Sequence, residues 1–75
     1  MTGNTYKIIE LVGTSAASIS EAVESAVIRA GQTLKGLDWF EVGEVRGRIK
    51  DGRVEEYQVK VKIGFRVMSE EELSA

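Results

Sequence analysis

The chain has 75 residues, ten basic and twelve acidic for a net charge of -2, and it contains no cysteine, histidine or proline. Without Cys or His it has no disulfide, thiolate nucleophile, imidazole base or zinc site, since those chemistries draw on these groups. Interspersed charges of both signs lack the basic field of a nucleic-acid binder, and no apolar run is long enough for a signal peptide or a membrane span.

A chain this short is one domain, residues 1–75, and it buries only about 60% of its unfolded surface, so it is marginal as a monomer. The expected location is cytoplasmic. Residues 1–4 and the acidic end from Ser69 (residues 69–75) are expected to fray.

"TYKIIELV", Thr5 to Val12, is rich in β-branched and aromatic residues and predicts a first strand stopping at Gly13, with Ile9 and Leu11 toward the core. The period then changes. Ile19, Ala22, Val23, Ala26, Val27 and Ala30 recur at three and four, which predicts an amphipathic helix. Thr14 or Ser15, or Ser18 with Glu21 in a capping box, are suited to start it, and Gly36 to end it. Small alanines on its inner face allow close approach to a sheet, while Gly31 costs about 1 kcal/mol relative to alanine. "GTS" after the first strand lacks the spaced glycines and lysine of a phosphate loop and reads as turn and cap.

The remainder predicts a long hairpin about Asp51-Gly52, the pair a two-residue type I′ turn asks for. In its second arm Tyr57, Val59, Val61, Ile63, Phe65 and Val67 share one face, and Glu56, Gln58, Lys60, Lys62, Gly64 and Arg66 the other. A two-residue turn pairs Val61 with Val42, Ile63 with Phe40 and Lys62 with Glu41, and it sets Trp39 on the polar face opposite Gly64. Past Gly43 the apolar phase slips to Val45 and Ile49, which predicts a bulge or a second buried face. Connection rules put the last strand between the other two. The fold class is therefore α+β: a β-α-β-β chain, a three-stranded antiparallel sheet of order 1-3-2 and one helix on one face. The hairpin arms outrun the helix, which leaves apolar surface for another subunit.

Adjacent strand residues face opposite ways, so Trp39 and Phe40 cannot serve one core. With Phe40 toward the helix and serving the core, two readings of Trp39 remain. It is an anchor in an oligomer interface, or a stacking platform for a flat heteroaromatic ligand, with the Gln58 amide on the same face as hydrogen-bonding neighbour. Arg46, Arg48 and Arg53 lie toward the hairpin tip and Arg66 near the chain end; they are solvated edge charges or, functionally, a phosphate clamp. Glu10, Glu21, Glu24 and Glu41 have no acid-base spacing.

"VGTS", the alanine-rich helix, "LDWFEV", "RG" and "YQVKVKIGFR" occur in this order from Tyr6 to Val67, and the set resembles the dodecin family of small flavin-binding proteins. The resemblance implies a hollow dodecamer that binds flavins in pairs at twofold axes between tryptophans of two subunits. By it Trp39 stacks on the isoalloxazine, Gln58 bonds its polar edge and Arg46 contacts a phosphate, with FMN favoured over riboflavin. Some members hold coenzyme A through basic residues, for which Lys7, Arg29 and Arg66 are of the matching kind. The implied function is non-catalytic flavin storage and buffering; the rivals are an FMN-dependent oxidoreductase and a structural or protein-interaction oligomer.

Overall fold

The residues from Tyr57 to Val67 alternate apolar and polar, and this alternation builds the middle of the molecule. In a computed structural model that describes residues 3–69, the chain forms β1 (Tyr6–Ser15), α1 (Ile19–Thr33), β2 (Leu37–Lys50) and β3 (Arg53–Arg66). The strands form one antiparallel sheet of order β1-β3-β2, as connection rules require. Of the ends expected to fray, residues 1, 2 and 70–75 lie outside the described residues; Gly3 and Asn4 are exposed and carry no regular structure.

β1 runs two residues past its expected stop. Gly13 is paired with Val59 inside the strand, and its glycine identity has a packing cause: a Cβ there would run into the Ala22 carbonyl oxygen and lie 3.0 Å from the Ala26 Cβ. At this point the helix backbone crosses the sheet at close range. Ser18 caps α1 by accepting from the Glu21 N–H at 3.0 Å, but the reciprocal half of a capping box is replaced. Ser15 Oγ accepts instead from the N–H groups of Ser18 and Ala17, at 3.3 and 2.9 Å.

The helix ends at Thr33, earlier than Gly36, with the Leu34 N–H on the Ala30 carbonyl at 3.0 Å. Gly36, at φ +76°, serves the turn into β2; its carbonyl accepts from the Arg66 N–H at 2.9 Å. At the hairpin tip Asp51 and Gly52 both take positive φ, 54° and 75°, as a type I′ turn demands.

Ala22, Ala26 and Ala30 of α1 meet Val59, Val61 and Ile63 of β3, flanked by half-buried Ile9, Leu11, Val23, Val27, Leu34 and Leu37. The core thus lies over β1 and β3. Phe40, Val42 and Val45 of β2 point to the same side but remain exposed. The expectation that Phe40 fills the core is corrected here: it is on the helix side, where it lines an open cleft with Val23 and Val27 of α1, yet it stays 54% exposed because the helix packs over β1 and β3. The sheet measures 56 × 19 × 13 Å with the helix, and the radius of gyration is 15.6 Å. A compact chain of this length would have about 11 Å.

Candidate functional site

Trp39 pairs with Gly64 on the face of the sheet away from α1. An added Cβ on Gly64 would strike Cζ2, Cε2 and Cη2 of the indole almost equally, so the six-membered ring lies flat on the glycine. Tyr6, on the neighbouring β1, closes one edge of this seat: its ring meets the indole edge-on, with centroids 5.1 Å apart and planes at 66°. The seat depends on the missing side chain, and Gly64 is buried beneath the ring while Trp39 stays 39% exposed. One aromatic face therefore rests on backbone and the other looks outward.

The register that places Trp39 over Gly64 survives two irregularities. Lys50 pairs with Arg53 and Ile49 with Val54; Glu55 is then extra on β3, so Arg48 meets Glu56. Further along, the Gly43-Glu44 stretch carries one extra residue on β2, so Val45 meets Val59 but Val42 meets Val61. The two offsets cancel. Between them the shifted register sets Arg46 opposite Gln58.

Gln58 is half-buried and held at both ends of its amide. Arg46 Nε donates to Oε1 at 3.1 Å, and Nε2 donates to Glu56 Oε2 at 2.8 Å. Arg48 Nε stands 3.6 Å from the same Glu56 oxygen and 3.9 Å from Glu55 Oε1. Beside this cluster Glu44 pairs with Lys60 at 3.1 Å, and the lysine's hydrogen bond and charge hold the Glu44 carboxyl below the usual carboxylate range. Glu56 lies on the polar face that the alternation predicts, but it is not among the candidate site residues of the sequence. Its signal was its place two residues before Gln58, on the same face of the same strand.

Trp39 and Gln58 share a face but do not share a locus. Their β3 positions, Gly64 and Gln58, are six residues apart, about 20 Å at strand rise, so the amide is not a neighbour of the indole within one subunit. Lys7, Arg29 and Arg66 are also dispersed. Lys7 pairs with Phe65 on the helix side, Arg66 is opposite Tyr6 on the outer side and donates to Met68 Sδ at 3.3 Å, and Arg29 lines a cleft with Leu11, Gly13 and Thr14 at the far half of β1. Among the described residues no cluster of three or more acidic side chains is placed to hold a metal ion, and no helix is long and apolar enough to cross a membrane.

Comparison with known proteins gives a consistent result. A family model described as Dodecin matches residues 5–68. Dodecin of Thermus thermophilus is 51% identical over 65 residues, covering 87% of this chain and 94% of that protein. The structure of dodecin from Streptomyces coelicolor is similar at a TM-score of 0.88 and 52% identity, covering 92% of this chain and 99% of that one. A structure from Thermus thermophilus is similar at 0.86 and 49%, covering 89% and 98%.

Proposed function

The chain belongs to the dodecin family, and from that premise we propose that it binds a flavin, FMN or alternatively riboflavin, and stores it in the cytoplasm without transforming it. The observation that carries this reading is the seat of Trp39, an indole backed by Gly64 and edged by Tyr6 with one face left outward for a flat ring. Such a platform is worth about 1 to 3 kcal/mol per stacked ring.

The separation of Trp39 from Gln58 makes the site a property of an assembly. A ring lying on one subunit's Trp39 takes its polar contacts from a second copy, and a twofold axis that lays two such faces head to tail brings the indole end of each toward the amide end of the other. The uncovered apolar side of β2 supports the same conclusion, because a homo-oligomer buries what α1 does not. We take its size to be twelve. Arg46 engages Gln58 through Nε, which leaves its terminal nitrogens for the phosphate of FMN. Coenzyme A, as a second ligand, would need basic residues of several subunits, since Lys7, Arg29 and Arg66 do not converge within one.

Stacking between tryptophans fits storage, since the electron-rich indole quenches the flavin excited state and covers the ring faces that a substrate would need. The test is a purified sample examined by absorbance, fluorescence and light scattering. A yellow particle of about twelve subunits with quenched flavin emission is expected. A colourless protein that ignores added FMN would leave only the structural oligomer, and steady substrate-dependent turnover would make it an oxidoreductase.

A further inference from the structure

The hydrogen bonds of Gln58 determine which way its amide points. Arg46 has only donors to offer and Glu56, ionised, only acceptors, so the oxygen must face the guanidinium and the nitrogen the carboxylate. Flipping the amide would set its N–H groups against a cation and its oxygen against an anion. Each bond uses half of the amide's capacity, leaving one N–H and one oxygen lone pair in a defined order.

We infer that Glu56 is a positioning residue for the ligand: by holding Nε2 it fixes the polarity of the Gln58 amide and with it the direction in which the flavin ring is held. This rests on reading Gln58 as a flavin contact. The pyrimidine edge of an isoalloxazine presents carbonyl, N–H and carbonyl in a row. An amide whose oxygen takes the ring N–H can give its own N–H to only one of the two flanking carbonyls, and the polarity of the amide decides which. Glu56 is suited to the task because its side chain is only 29% exposed and its bonding oxygen, 2.8 Å from Gln58 Nε2, also faces Arg48 Nε at 3.6 Å, so the carboxylate is held from both sides.

The experiment measures riboflavin binding, free of any phosphate contact, to the assembled protein and to Glu56→Leu, Glu56→Gln, Gln58→Leu and the Glu56→Leu/Gln58→Leu double variant, with assembly checked by light scattering. Glu56→Leu should weaken binding by about 3- to 10-fold, the range of one lost hydrogen bond. Glu56→Gln should stay near the parent, because its amide oxygen accepts the same bond. In the Gln58→Leu background the Glu56→Leu change should have no further effect. Equal losses in both backgrounds, no loss in the presence of Gln58, or failure of Glu56→Gln to rescue would each overturn the inference. If Glu56→Leu does not assemble, Glu56→Lys keeps the surface polar while offering only donors; it should bind more weakly, and unchanged binding there would overturn the inference too. The two layers are separable: Gln58→Leu without effect removes Gln58 from the site altogether, whereas a strong Gln58→Leu effect beside silent Glu56 variants removes Glu56 alone.

Discussion

On β3, Val59, Val61 and Ile63 are 1% exposed or less, whereas Phe40, Val42 and Val45 on the adjacent β2 face the same side and are 54%, 42% and 47% exposed. The residue types are alike and the alternation is alike. What differs is the helix, which is drawn toward β1 and β3 by its small inner residues and by Gly13. Alternation selects the side of a sheet a residue faces; it does not say whether anything covers it there. One half of the subunit makes its own core, and the other half leaves its apolar side chains uncovered.

The largest expected effect tests that division directly. Ile63→Ala should cost the subunit about 2 to 5 kcal/mol. Ile49→Ala at the tip, 74% exposed in the single chain, should change the stability of the dissociated subunit by no more than about 0.5 kcal/mol. The tip variant should instead dissociate at a higher protein concentration. Chemical denaturation of dilute chain, paired with light scattering across concentrations, reads both; equal losses of subunit stability would abolish the distinction.

The next effect concerns the outer face. Trp39→Ala should weaken FMN binding by about 1 to 3 kcal/mol while leaving helix and sheet content near the parent. Gly64→Ala should do nearly the same without touching the indole's chemistry, because the new methyl displaces the ring from its seat. Titration of FMN and circular dichroism on both would check it, and a Gly64→Ala protein that binds as tightly as its parent would show that the seat does not matter.

The smallest effect is electrostatic. Because Lys60 lowers the folded pKa of Glu44, their pair contributes fully above the unfolded carboxylate pKa of about 4.3 and fades as pH falls through the folded value. Glu44→Gln should remove that small acid-side dependence, and added salt should mask it, since both groups are near solvent. Melting temperature against pH for the two proteins measures the difference.

Much of the architecture was legible. The β-α-β-β order, the 1-3-2 sheet, the Asp51-Gly52 turn and the opposition of Trp39 and Gly64 all follow from periodicity and turn chemistry. The last of these came out right partly because an extra residue on β3 near Glu55 cancels the one on β2 near Glu44; either alone would have moved Trp39 off its glycine. Phe40 was misjudged as a core residue because the lateral position of α1 over the sheet leaves no mark in a one-dimensional pattern. Gln58 was placed on the correct face and too near Trp39, although counting six positions along the strand shows how far apart they are. The pairing of Arg46 with Gln58 and the hold of Glu56 on the same amide depend on the bulge-shifted register and on side-chain reach, neither of which leaves a mark in the order of residues.

The hydrogen bond from Val67 N–H to the Thr5 carbonyl, 2.8 Å, ties the two ends of the sheet to one point. The backbone path is thus almost a closed ring, and the break between Thr5 and Val67 is only one of the places where it could be cut. Cut there, every pairing of β1 with β3, from Ser15 with Tyr57 to Tyr6 with Arg66, has to close a long loop, an entropic penalty that the sequential β2-β3 hairpin does not carry. A linker of a few residues across that point, with a new opening in the 16–18 connection, would turn β3 and β1 into a sequential hairpin. The order of assembly would change while Trp39, Gln58 and Glu56 kept their places, so the path by which this chain folds and the surface it offers a ligand are separate choices.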